Sequence, residues 1–245
     1  MLEICVDSLA SARAAIAGGA DRLELCSALC VGGLTPYDEL LRAIRQESDI
    51  PIRCLMRHRP GDFLYTEEEI CLLVSQIRTL QNCGADGFVI GALKKDGTLD
   101  EVAMMRLMAA CGNTGITLHR CIDVSRDLEE TYLTAGRLGV DTVLTSGGQA
   151  NCLAGMPQIR KLLALQKETG GPEVLIGAGV NAAVIDTFRQ VCPESCAFHM
   201  SGKENIESGM IFRKENVPMG LPGLPEWVIP CTNEDAVRQA KRAMQ

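Results

Sequence analysis

The sequence predicts an α/β protein built as a closed (β/α)8 barrel of the TIM type, followed by an irregular Pro- and Gly-rich C-terminal extension. Three observations carry this expectation. Strand and helix signals alternate about every 20 to 35 residues, the rhythm of a parallel sheet with helical crossovers. Eight short apolar strand-like runs can be counted, and 245 residues is a length that α/β barrels reach as one domain. An open doubly wound sheet is the competitor, but its GxGxxG turn after the first strand is missing. The nearest match, Gly177-Ala178-Gly179, comes late and is incomplete.

The first strand is Leu2–Val6; Asp7-Ser8 opens the first helix and Gly18-Gly19 ends it. Arg22–Cys26 is the second strand, and Thr35-Pro36 opens the second helix with proline in its first turn. Ile52–Met56 follows. Thr66 with Glu69 forms a capping box for a helix over Glu67–Asn82 that stops at Gly84. Gly87–Ile90 leads to a helix over Leu99–Cys111, and Ile116–His119 to one over Asp127–Leu138, each closed by glycine. Thr142–Thr145 precedes Met156–Lys167, and Val174–Gly177 precedes Ala182–Val191, which Asn181 caps. Ala197–Met200 is the eighth strand, so residues 1–203 form the expected barrel. In residues 204–245, Pro218, Pro222, Pro225 and Pro230 argue against a regular element until Thr232 and Asp235 start a last helix, Asn233–Met244. The single tryptophan, Trp227, is expected to pack this strap on the barrel or on a second subunit.

A net charge of −7 without a basic stripe disfavours nucleic acid and anionic lipid as partners. No positive segment followed by an apolar run opens the chain, and its apolar stretches are broken before the roughly 20 residues a membrane span needs. A soluble cytoplasmic protein is the expectation. Twelve cysteines occur without any CxxC pair, which argues against a zinc ribbon or a thioredoxin-like motif. Cys71, Cys83, Cys111 and Cys192 fall in helix-like segments and read as small buried hydrophobes.

Barrel chemistry sits where strands end and the next loops begin, so those positions filter the candidates. Residues two apart on a strand share a face, which pairs Glu3 with Cys5 and Glu24 with Cys26. On adjacent parallel strands, two thiols and two carboxylates would then converge. The third strand leads into MRHRPGDFLY, with Arg57, His58, Arg59, Asp62 and Tyr65; the fifth into His119, Arg120 and Asp123. The later strands end in Thr145-Ser146-Gly147-Gly148, Gly177–Gly179 and His199-Met200-Ser201. All three histidines belong to this set. If the fifth strand persisted, Thr117, His119, Cys121 and Asp123 would share parity. The Gly-rich turns are candidate backbone cradles for an anion, and the arginines candidate counter-charges. Cys5 and Cys26 are soft donors suited to Cu(I), which needs only two thiolates; zinc would need further ligands such as His199 or Cys54.

Assembled, these residues resemble the CutC family over about residues 1–203. The resemblance rests on GADRLELC with GGLTP, the MRHRPGDFLY segment, His119-Arg120 with Asp123, LTSGG at Leu144–Gly148, and His199–Ser201. It departs from the family pattern at His58, Pro60, Cys121 and Met200. The resemblance implies a cytosolic (β/α)8 barrel linked to copper homeostasis, commonly a homodimer or higher homo-oligomer, with Cys5 and Cys26 as the Cu(I) ligands. The alternative reading of the same mouth is an enzyme acting on a small anionic, perhaps phosphorylated, metabolite. There Arg57, Arg59, Asp62, Arg120, Ser146, Gly147, Gly179, His199 and Ser201 would hold the ligand. His119, oriented by Asp123, and Glu24 would move protons.

Overall fold

The computed structural model describes residues 1–220, Gly223 and residues 225–245; Pro222 lies outside the described residues. Eight parallel strands close into a barrel in chain order: β1 Leu2–Val6, β2 Arg22–Leu25, β3 Ile52–Leu55, β4 Gly87–Ile90, β5 Gly115–Leu118, β6 Thr142–Thr145, β7 Glu173–Ile176 and β8 Ala197–Met200. β8 pairs with β1 and completes the ring. The crossover helices are α1 Leu9–Ala17, α2 Asp38–Arg45, α3 Glu67–Asn82, α4 Glu101–Cys111, α5 Leu128–Leu138, α6 Met156–Thr169 and α7 Ala182–Val191. Strand periodicity sorts the side chains. Leu2, Ile4, Val6, Leu23, Leu25, Ile52, Cys54 and Phe88 belong to the large apolar layer shared with the helices. Cys5, Cys26, Leu55 and Val89 form a separate cluster, and Leu144, Leu175 and Ala197 another; these carry the opposite parity and face the barrel axis.

Three local expectations are corrected. α2 starts at Asp38 rather than at Thr35-Pro36, because the chain before it is held extended. Ser27 and Leu34 form a bridge, and Thr35 N–H donates to Arg57 O. β5 stops at Leu118 and His119 caps a short 3-10 turn, Arg120–Val124, so Cys121 and Asp123 lose the parity they would share with His119 on a strand. The tail is more regular than its prolines suggest: β9 Lys203–Glu207 and β10 Val228–Thr232 form an antiparallel ribbon with Pro230 opposite Asn205. A two-stranded ribbon has only edge strands, where a missing N–H is tolerated. Trp227 is half-buried and lies under the Arg213 guanidinium of the same extension, 5.8 Å from its ring centroid.

The last helix, α8 Glu234–Ala243, buries Val237 and Ala240 completely. It seats on α1 at Gly18, where a Cβ would stand 2.6 Å from Val237 Cβ; only glycine permits this approach. Thr66 and Glu69 make the expected reciprocal capping box at α3. Among the described residues, no helix is long and apolar enough to cross a membrane.

Candidate functional site

β1, β2 and β8 deliver one charged cluster to the barrel axis. Their register sets Glu3 beside Arg22 and His199, and Cys5 beside Glu24. Glu3 is fully buried, accepts from Arg22 Nε, and lies 2.8 Å from His199 Nδ1. His199 Nε2 lies 3.7 Å from Glu24 Oε2. One donor atom each from Cys5, Glu24 and His199 falls within 4.8 Å of the others. Cys26 stands next in line: its thiol donates to Glu24 Oε2 at 3.4 Å and packs in the same apolar cluster as Cys5.

Electrostatics split the two carboxylates. Burial alone would raise Glu3, but hydrogen bonds and charge from His199 and Arg22 outweigh it and hold Glu3 at about 2. Burial pushes Glu24 up, reinforced by Glu3 and opposed by His199. Burial would depress the His199 imidazolium, yet Cys5, Glu24 and Glu3 around it raise it well above the ordinary histidine range. Burial, then the neighbouring Glu24 and Cys5, push the Cys26 thiol well up. Cys26 therefore keeps its proton until something displaces it.

Above this floor opens a cavity of about 890 Å³, lined by Cys5, Glu24 and His199 below and by Lys203, Asn205, Val228, Pro230 and Cys231 of the C-terminal ribbon at the side. The extension is thus a wall of the mouth. The opposite wall holds Arg57, Phe63 and His119. Phe63 stacks obliquely on the His119 ring at 4.7 Å between centroids and receives the Arg57 guanidinium at 5.3 Å. Arg57 donates through Nη1 to Val31 O and Gly33 O and through Nη2 to Gly61 O, while its Nε has no partner among the described residues. His119 is 4% exposed and accepts from Cys121 N–H through Nδ1 at 3.2 Å, which leaves the ring proton on Nε2. That Nε2–H has no partner among the described residues either. Burial and the Arg57 charge hold the imidazole at about 3, so the ring is neutral. Gly91 makes room for it, since a Cβ there would stand 2.5 Å from both His119 Cε1 and Cys121 Sγ.

The remaining candidates divide sharply. Arg120 lines the cavity, with Nε on Asp123 at 2.7 Å and Nη2 on Ser146 Oγ at 2.8 Å. Gly179 and Ser201 line it too. Asp123 is not brought to His119. Its carboxylate accepts from Thr145 Oγ1, from Ser146 N–H and Oγ, and from Gly148 N–H. The loop at Ser146-Gly147-Gly148, expected as an anion cradle, therefore already holds an anion belonging to the chain. Arg59 and Asp62 do not line the cavity either. Arg59 is paired with Glu69 at 2.6 Å and with Asp62 at 3.0 Å, and His58 Nε2 meets the same Glu69 at 3.0 Å. Cys54 faces the helices and Cys121 is buried against Gly91, apart from the floor cluster. Sequence reasoning missed Arg22 and Phe63. Arg22 shares strand parity with Glu24, which was the available signal; Phe63 carried none.

Comparison with known proteins agrees with this architecture. The CutC family model matches residues 1–203. A human protein, copper homeostasis protein cutC homolog, is 40% identical over 241 residues, covering 97% of this chain and 86% of its own. A CutC family protein of Klebsiella pneumoniae (strain 342) is 37% identical over 242 residues, covering 98% and 96%. A crystal structure from Streptococcus agalactiae, assigned to copper homeostasis protein CutC, superposes with a TM-score of 0.74 at 23% identity, covering 82% of this chain and 98% of that one. 3-Hexulose-6-phosphate synthase from Salmonella typhimurium shares the fold alone, at a TM-score of 0.59 and 13% identity over 99% of this chain and 97% of its own. With the family model covering residues 1–203 and relatives matching at this identity over nearly the whole length, the chain belongs to the CutC family.

Proposed function

We propose that this protein takes part in copper handling by binding Cu(I) at the floor of the barrel mouth, with Cys5 and Cys26 as thiolate ligands. The observation that carries the reading is the convergence of Cys5, Glu24 and His199 within 4.8 Å, with the Cys26 thiol one hydrogen bond further on. The donor set fits the ion: two thiolates suit soft Cu(I), whereas a site for a hard divalent cation would be built of oxygens. Two thiolates satisfy a two-coordinate ion, so Glu24 and His199 need not bind it directly. Glu24, whose Oε2 already accepts from the Cys26 thiol, would take up the proton that Cu(I) displaces, and the His199 imidazolium would offset the negative charge around it. The names of the human and bacterial relatives point the same way.

All twelve cysteines are free, which supports a reducing, cytoplasmic setting in which thiolates remain available. Exposed Met210, Ile211, Phe212 and Met219 at the tip of the extension support a homodimer or higher homo-oligomer, which sedimentation would measure. The direct test is anaerobic Cu(I) titration against a competing chelator. Wild type is expected to bind one ion tightly, and the Cys5→Ser/Cys26→Ser protein to lose that binding while keeping its circular dichroism spectrum. Equal affinity in the two proteins would overturn the assignment.

A further inference from the structure

The ribbon that walls the cavity has one edge the barrel does not cover. All five residues of β9 are exposed, whereas β10 packs on α1. Two hydrogen bonds that bracket the ribbon fix its parity: Asn233 N–H donates to Gly202 O, and Ser208 N–H donates to Trp227 O. In an antiparallel pair, bonded residues alternate with unbonded ones. Glu204 and Ile206, opposite Cys231 and Ile229, therefore turn their backbone groups to β10. Lys203, Asn205 and Glu207 turn theirs outward, where no other segment among the described residues meets them. The far edge of the ribbon is closed: Thr232 N–H donates to Ser11 Oγ at 3.1 Å, and Pro230 has no N–H to offer. A two-stranded ribbon is stabilised by a third strand, and an unpaired edge is a template for one.

We propose that β9 of a second copy of this chain pairs antiparallel on this edge, about a two-fold axis at Asn205. The segment Lys-Glu-Asn-Ile-Glu is complementary to itself in that register: Lys203 stands opposite the partner subunit's Glu207, and the axis repeats the pair. The same register uses the free backbone groups, because Lys203, Asn205 and Glu207 become the opposed residues and exchange N–H···O bonds without disturbing β10. An axis at Glu204 would oppose like charges, and one at Ile206 would leave Lys203 without a carboxylate. Lys203 has no ion pair among the described residues, whereas Glu207 is held by Arg213 at 2.6 Å, so the contact brings a free cation to a positioned anion. On the other face, Ile206 and Ile229 oppose each other and are 45% and 55% exposed; the joined sheet sets them beside their copies. Lys203 and Asn205 line the cavity, so the partner subunit's Glu207 joins the rim of the mouth. The contact rests on the homo-oligomeric reading of this chain and gives it a surface; the Cu(I) floor plays no part in it.

The test is sedimentation of the full-length, metal-free protein over a wide concentration range, with amide hydrogen exchange read by NMR. Wild type is expected to form a dimer of twice 26.4 kDa. In the dilute monomer the amides of Glu204 and Ile206 should exchange slowly and those of Lys203, Asn205 and Glu207 fast; in the dimer all five should be protected. Asn205→Pro removes only an outward N–H and is expected to sediment as a monomer with Glu204 and Ile206 still protected. Lys203→Glu and Glu207→Lys each oppose like charges at both ends of the contact and are expected to weaken dimerisation by about tenfold. The double variant Lys203→Glu/Glu207→Lys restores opposite charges and should recover most of the affinity. A wild type that stays monomeric at every concentration overturns the contact together with the oligomeric reading, and would leave the edge to a strand of another protein. A dimer that Asn205→Pro leaves intact, or in which the Lys203, Asn205 and Glu207 amides stay open, overturns the contact alone. So does a double charge variant no tighter than its single parents.

Discussion

His119 shows how one residue links packing to chemistry. Its ring sits between Phe63 and the space left by Gly91, and burial with Arg57 lowers it from 6.5 to about 3. The folded protein therefore refuses a proton that the unfolded chain accepts below about 6.5. Stability then falls as pH drops, by about 1.4 kcal/mol per pH unit for one proton, until about 3. The difference in urea unfolding free energy between wild type and His119→Gln should shrink along that slope between pH 6.5 and 4; a difference independent of pH would show that the ring is protonated in the fold. Gly91→Ala places a methyl against both His119 and Cys121 and is expected to cost about 1–3 kcal/mol, visible as a lower urea midpoint. The sequence marked His119, Arg57 and Cys5 as mouth residues because all lie at strand ends. For Arg59 it left open a salt bridge with Glu67–Glu69 beside the anion-binding role, and the pair with Glu69 is what forms; it did not reveal that Asp123 would be taken by Thr145, Ser146 and Gly148 of the loop after β6. Those outcomes depend on side chains meeting across loops, which neither period nor spacing encodes.

At the scale of elements, the βα loops brace one another through polar contacts, as the loop after β6 shows. Asp123, carried by the turn after β5, gathers donors from Thr145, Ser146 and Gly148 and so ties two loops together. Asp123→Ala strands these donors and is expected to cost about 3 kcal/mol or more, visible as a lower urea midpoint, with Asp123→Asn recovering part of it. Removing the α3 cap with Thr66→Ala should cost only about 1 kcal/mol, because α3 also buries Ile70, Leu73, Ile77 and Leu80. These magnitudes also explain which elements were legible. The cap at Thr66 and the bounds of α3 and α7 were readable because capping is local chemistry. The start of α2 and the C-terminal ribbon were not. The first is fixed by Thr35 binding Arg57 on another loop, the second by pairing between residues far apart in the chain.

At the scale of the whole molecule, the barrel is closed by charge as well as by its ladder. Glu3 on β1 joins Arg22 on β2 and His199 on β8, so the seam where first and last strands meet is spanned by one buried carboxylate. Arg53 on β3 reaches Thr117 on β5 and Thr142 on β6 across the same interior. Removing one member leaves buried charge unpaired, so Arg22→Met is expected to destabilise the fold by about 3–5 kcal/mol. Glu3→Gln should do likewise, and the double variant should cost less than the sum, because each single change strands the other member of the same pair. The pH dependence follows from Glu3 being held at about 2 against an ordinary 4.5. Its contribution is complete above about 4.5 and is lost as pH falls toward about 2, a span worth about 3 kcal/mol. Wild type should therefore lose stability steeply across that window, and Glu3→Gln, already weaker at neutral pH, should lose less. Parallel loss in both proteins would mean that the seam is held by its backbone ladder and outer apolar layer alone, with the buried carboxylate a passenger rather than a clasp.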